Sequence, residues 1–143
     1  MMSSYPSSDD ILESAARFLR EDAAPALTGA LAFNLRVTLN ALELVRREMA
    51  LGEDAETREL ARLRSLLGMG GDMAAMRERL FGAEADLTTL RDMLCDRISA
   101  GALSLKDPAV AAHLRATTID RLAIDQPSYS AYQAATAGKK GAS

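Results

Sequence analysis

The fold class is decided by residues 30–51, which read ALAFNLRVTLNALELVRREMAL. Apolar side chains recur here every three or four residues, the spacing that places them on one face of an α-helix. This main stripe consists of Leu31, Leu35, Leu39, Leu42, Val45 and Met49. The pattern predicts a helix over residues 30–51 that buries the stripe and ends at Gly52.

A second apolar set lies on roughly the opposite side of the same predicted helix. It contains Phe33, Val37 and Leu44, and it is bordered by Arg36, Asn40, Glu43 and Arg47. A solvated face would account for the polar residues, whereas a mixed apolar and arginine surface is typical of protein interfaces. With both interpretations open, we predict that this face contributes to an interface with another protein or with a second copy of the chain.

Composition extends the helical prediction to the whole chain. Ala and Leu dominate the apolar residues of this 143-residue chain, aromatic residues make up 4%, and Trp is absent. Such residues favour helices, whereas strands are enriched in β-branched and aromatic residues. We therefore predict an all-α protein, a compact bundle of five to six helices in a single domain. The domain should span residues 8–132, with flexible termini at 1–7 and 134–143.

Local signals place the other helices. Ser7 with Asp10 forms a capping-box pattern, and Asp107 before Pro108 is a typical helix start. Glycines mark the expected helix ends. These signals predict helices that start near Ser7, span about residues 55–67, span about residues 72–82, run from Asp86 to Gly101, and run from Asp107 to about Ile124.

Charge and apolar patterning exclude several partner classes. The chain has 17 Lys and Arg against 20 Asp and Glu, a net charge of −3, so it lacks the basic field that nucleic-acid binding requires. A single cysteine, Cys95, excludes an internal disulfide. The sequence has no signal-peptide or membrane-span pattern, and a cytoplasmic location is expected.

The sequence carries no recognisable catalytic or metal site. His113 is the only histidine, it is predicted in mid-helix, and a structural or surface role suits it better than a triad. The glycines at 68–71 are followed by Asp72 rather than by the Lys-Ser/Thr ending of a phosphate-binding loop. We therefore expect no enzyme activity of the isolated chain, no metal and no cofactor.

Arg121 is a further candidate for partner contact. It falls on the same predicted helical face as Val110, Leu114 and Thr117, where an unpaired charge is costly. Alternatively, the helix frays there and the guanidinium reaches solvent.

Two segments together resemble a bacterial family of domains of unknown function, number 6285. They are residues 33–48, FNLRVTLNALELVRRE, and residues 113–129, which contain HLRATT followed by LAIDQPSY. The resemblance covers roughly residues 9–132 and is weakest over residues 69–85. Members are typically encoded beside an aminoglycoside-phosphotransferase-like kinase and an acyl-CoA dehydrogenase.

The resemblance implies a small accessory subunit that binds such a kinase, in a pathway that phosphorylates hydroxyacyl-CoA-type compounds. It supplies no catalytic residues, so the matching positions Arg36, Asn40, Asp125, Pro127 and Tyr129 are interface candidates only. Residues Asp125 to Pro127 also fit a local turn that ends the helix. The alternative function is a helical module that binds a small ligand such as an acyl chain, for which seven methionines would provide an adaptable apolar pocket.

Overall fold

The structure is a computed structural model, and it describes residues 5–69 and 86–139. These residues form helices and no strand, which confirms the all-α prediction. The α-helices are α1 (Ser8–Phe18), α2 (Gly29–Leu66), α3 (Leu87–Ser99), α4 (Pro108–Asp125) and α5 (Ser130–Thr136). The predicted helix at residues 72–82 lies outside the described residues. No described helix is both long and apolar enough to cross a bilayer.

The helix starts follow the predicted capping signals. The Ser7 side chain accepts a hydrogen bond from the Asp10 backbone N–H, and the Asp10 carboxylate accepts one from the Ser7 backbone N–H. Asp86 caps α3 through the backbone N–H of Thr89 at 2.7 Å. Pro108 opens α4, where its missing N–H leaves no donor unsatisfied. A helix cap forms between residues that are close together in the sequence, so these helix starts could be predicted from the sequence.

Gly52 does not end a helix, contrary to the sequence prediction. The two predicted helices on either side of it form one element, α2, with 38 residues. Glycine costs a helix interior only about 1 kcal/mol relative to alanine, and Glu53 to Ala55 continue the helix without a breaker. The stop occurs later, at Gly68, whose positive φ of 70° suits a glycine after a helix end.

Replacing Gly52 by Ala should therefore raise stability. A Cβ at this position would meet the Glu48 carboxylate at 3.2 Å, the mobile end of an exposed side chain that can turn aside. We expect the free energy of unfolding to increase by about 0.5–1 kcal/mol in urea titrations. Gly68→Ala is the matched control and should destabilise the protein, because its φ is positive. A loss of stability in Gly52→Ala would contradict this account.

The chain forms two compact units, Met1–Gly52 and Glu53–Ser143, and the division falls within α2. In the second unit, Leu63 of α2 and Leu67, the residue directly after α2, pack with Leu90 and Leu94 of α3 to form a buried cluster. In the first unit, Ala16 and Leu35 are the buried apolar side chains among its described residues. The predicted domain limits at residues 8 and 132 stay a prediction.

The main stripe of residues 30–51 is less buried than predicted. Leu35 is buried and Leu39 and Leu42 are half-buried, but both ends of the stripe, Leu31 and Met49, are exposed, as is Val45. The physical reason is the size of the first unit: among its described residues, the 11-residue α1 and the turns after it are the elements that can cover this part of α2. A short helix covers only part of a longer one.

The chain beyond α4 is more helical than the sequence suggested. The predicted flexible tail from residue 134 begins inside α5, and a 3-10 turn follows at Ala137–Lys139. Tyr129 is the residue before α5, and its backbone N–H donates to the Gln126 carbonyl at 3.0 Å. Residues 126–129 thus form a turn directly after α4, whereas Asp125 is the last residue of the helix.

Candidate functional site

The second face of α2, defined by Phe33, Val37 and Leu44, is exposed. Phe33 is 58% exposed, Val37 52% and Leu44 38%. These values place three large apolar side chains at the surface within three turns of one helix. Exposed apolar groups that adjoin one another, rather than lying scattered, mark surfaces that bind other molecules.

The polar residues that border the second face differ in their surroundings. Arg36 and Asn40 are exposed, and Arg47 is half-buried. Glu43 forms ion pairs within the first unit, since its carboxylate lies 2.9 Å from Arg20 Nη2 and 3.6 Å from Arg46 Nη1. Arg36 and Asn40 are therefore the polar candidates best placed to meet a partner.

Arg46 joins α1 to α2 in the first unit. Its Nε lies 2.8 Å from Asp9 Oδ1, and its Nη2 lies 3.3 Å from Glu13 Oε2. The hydrogen bond from Arg46 holds the pKa of the Asp9 carboxyl below its ordinary value. These contacts fix one side of α2 against α1, whereas the second face keeps its apolar side chains at the surface.

The remaining interface candidates, Arg121, Asp125 and Tyr129, lie in the second unit. Arg121 Nε lies 3.3 Å from Asp125 Oδ2 one turn away, and 65% of the Arg121 side chain is exposed. This ion pair is the solvated arrangement that the sequence left as an alternative. Val110 of the predicted inward face is buried, but Leu114 is 40% exposed and Arg121 lies at the surface, so Arg121 is not placed among buried side chains. Tyr129 is half-exposed.

A buried acidic residue stands out in the second unit. Glu59 is 6% exposed, and both of its carboxylate oxygens accept hydrogen bonds from Arg91, at 2.8 Å from Nε and 2.7 Å from Nη2. The two parallel hydrogen bonds fix the relative orientation of the two side chains, in addition to pairing their charges. The hydrogen bonds from Arg91 hold the pKa of the Glu59 carboxyl below its ordinary range, against the opposing effect of burial.

His113 is buried beside this pair. The side chain is 4% exposed, and its Nδ1 has no hydrogen-bond partner within the described part of the chain. Burial lowers the pKa of His113 below its ordinary value of 6.5, and the positive charge of Arg62 lowers it further. Glu59 acts in the opposite direction and Arg91 in the same direction as Arg62. His113 is therefore held neutral, as suits a structural histidine.

Acidification should destabilise the protein through His113. Below pH 6.5 the unfolded chain takes up a proton that the folded His113 resists, so stability present above that pH is lost as the pH falls. The loss cannot exceed about 1.4 kcal/mol per pH unit for one proton. Urea titrations above about pH 5 avoid most carboxylate titration and should show this slope. In His113→Gln the slope should disappear, and an unchanged slope would assign the effect to other groups.

A second polar cluster, which we call the arginine groove, joins α2 to α4. Arg58 Nη2 lies 2.9 Å from Asp120 Oδ1, and Arg62 Nη2 lies 3.3 Å from Asp120 Oδ2 and 3.2 Å from Thr117 Oγ1. The groove beside them has a volume of about 320 Å³, and Arg115 also lines it. Sequence reasoning missed this site. Its one signal was the four-residue spacing of Arg58 and Arg62, which puts both on one helical face.

The described residues hold no group of three or more His, Cys, Asp or Glu side chains that could bind a metal ion. Arginine–carboxylate ion pairs recur among the described residues.

Comparison with known proteins gives a family. A family model described as Domain of unknown function (DUF6285) matches residues 25–129. That range includes all of α2, the arginine groove and Tyr129. No curated protein and no solved structure matches the chain.

Proposed function

The chain belongs to the DUF6285 family, and we propose that it is a non-catalytic accessory subunit that binds a partner protein through the second face of α2. The single observation that carries this proposal is the exposure of Phe33, Val37 and Leu44 beside Arg36 and Asn40. Apolar and arginine side chains in one patch are the composition that interface centres favour.

The small core of the first unit supports the same function. A short helix packed on part of a longer one leaves apolar residues uncovered on more than one side, since Leu31, Val45 and Met49 are exposed as well. A protein that covered these side chains would remove them from water, which contributes about 25 cal/mol for each Å² of apolar surface. The first unit would then gain the second layer that helices need.

The partner we propose is a phosphotransferase-like kinase that acts on hydroxyacyl-CoA-type substrates in the cytoplasm. This choice rests on the family resemblance, which implies a kinase of this type as a neighbour. Self-association through the same face is the second possible form of the interaction. The alternative of an acyl-chain carrier lacks a comparable supporting observation, because the groove found in the second unit is bordered by arginines.

Co-expression with a phosphotransferase-like kinase from the gene's own neighbourhood, where the resemblance implies one, tests the proposal. The two chains should elute together from a size-exclusion column. Phe33→Glu with Val37→Glu should abolish co-elution, because two carboxylates would be buried against an apolar partner surface. We expect binding to weaken by roughly 100-fold or more. Both side chains are more than half exposed, so the free protein should keep its helicity and melting temperature.

Leu105→Glu is the matched control, since Leu105 is an exposed apolar residue in the second unit. It should leave co-elution unchanged. Light scattering of the isolated chain detects a dimer, and loss of that dimer in the double variant would assign the face to a second copy. Co-elution that survives the double variant would place the interface elsewhere.

A further inference from the structure

Three arginines converge on the groove between α2 and α4, and their charge is only partly balanced. Arg58, Arg62 and Arg115 line it together with the single carboxylate of Asp120. Three positive charges and one negative charge leave two positive charges at the groove. Glu59 is engaged by Arg91. The negative charge of Asp54 acts on Arg58 and offsets part of the excess, so the groove keeps a smaller net positive charge.

Hydrogen-bond donors are also in excess. A guanidinium carries five N–H donors, and Asp120 engages one nitrogen each of Arg58 and Arg62. Arg62 Nε is buried and has no acceptor within the described residues. The Arg115 side chain is exposed and forms no ion pair with the described residues. The groove therefore offers planar donors that suit an anion with several oxygens.

The rest of the lining is apolar. Ala112, Ala116 and Ile119 of α4 border the groove, and its volume of about 320 Å³ is at the lower end of the range for small-molecule pockets. Small side chains on α4 leave room between the two helices, and Ile119 offers a surface for an apolar group. The site thus combines a cationic part with an apolar part.

From this combination we propose that the arginine groove binds a small organic phosphate monoester. A phosphate monoester carries about −1.5 to −2 charges at pH 7 and several acceptor oxygens, which match the net positive charge and the surplus donors of the groove better than one carboxylate does. Its oxygens accept from Arg58, Arg62 and Arg115, and its organic part lies against Ala116 and Ile119. This inference goes beyond the accessory function and concerns the second unit alone.

A titration of the full chain with phenyl phosphate tests the proposal. The protein is labelled with ¹⁵N, the ionic strength is held constant with sodium chloride, and the arginine Nε–Hε signals are followed by NMR. We expect saturable shifts of the Arg58, Arg62 and Arg115 signals. Inorganic phosphate should bind more weakly than phenyl phosphate, because it lacks the group that contacts the apolar lining. Equal affinity for the two would overturn the assignment to an organic ester.

Arg115→Gln separates specific binding from general charge attraction. Because Arg115 is exposed, the variant should fold normally and should weaken phenyl phosphate binding by about tenfold. Arg97→Gln removes the same charge from an exposed position on α3 outside the groove lining and should bind as the wild type does. Wild-type affinity in Arg115→Gln, an equal loss in Arg97→Gln, or the absence of saturable shifts would each overturn the proposal. Because no kinase is present, these results are independent of the partner experiment.

Discussion

Replacing Leu90 by Ala should lower the free energy of unfolding by about 2–5 kcal/mol. Leu90 is completely buried and lies in the cluster with Leu63, Leu67 and Leu94. The substitution removes apolar contacts and leaves a cavity that helices α2 and α3 can close only in part. A loss of this size is a large fraction of the 5–15 kcal/mol that typically stabilises a domain.

Urea titration followed by circular dichroism measures the change. The matched control is Leu105→Ala, because Leu105 is 62% exposed and lies between α3 and α4. The control should change stability by less than about 0.5 kcal/mol. If both variants unfolded at the same urea concentration, the leucine cluster would not be the core of the second unit.

The loss in free energy of unfolding caused by Leu42→Ala should lie between the losses caused by Leu90→Ala and Leu105→Ala. The sequence pattern placed Leu42 in the buried stripe, whereas the structure leaves it half-buried in a unit with few other buried side chains. We therefore expect a cost smaller than that of Leu90→Ala. The comparison shows why a helical pattern fixes which side chains share a face but not how much of that face is covered.

The parts of the fold that sequence predicted best are those with local causes. Ser7, Asp86 and Pro108 mark helix starts because their caps involve residues within one turn. Gly68 and Gly101 follow helix ends in positive-φ conformations that favour glycine. Gly52 was predicted to end a helix for the same reason. That prediction is wrong, because a glycine that no helix-breaking residue follows can remain inside a helix.

The two polar clusters of the second unit could not be predicted in the same way. Arg58 and Asp120 are 62 residues apart, and Glu59 and Arg91 are 32 apart. Such pairs form only when the helices pack in one particular register, and that register cannot be predicted from the pattern of a single sequence. The candidate second face was predictable because it belongs to one helix, although the identity of its partner rests on resemblance.

Arg91→Ala should destabilise the protein by roughly 2–3 kcal/mol, because it leaves the buried Glu59 carboxylate without its charged partner. The Glu59 carboxylate would keep its buried position and lose both hydrogen bonds from Arg91. Half of the Arg91 side chain is exposed, so water can reach part of the vacated space and limit the cost. The pKa of Glu59 should then rise, since burial would act without the opposing hydrogen bonds.

A double variant distinguishes loss of the ion pair from loss of packing by the arginine side chain. Glu59→Gln combined with Arg91→Ala leaves no buried charge, and it should be more stable than Arg91→Ala alone, a coupling that a double-mutant cycle measures. The wild-type pair stabilises the fold above pH 4.5, the ordinary pKa of Glu59, and this contribution is lost as the pH falls. In Arg91→Ala the sign reverses, because protonation relieves the buried charge. Arg97→Ala, in the last turn of the same helix, is the control and should change little. If the double variant were no more stable than Arg91→Ala, the Glu59 charge would not be the source of the loss.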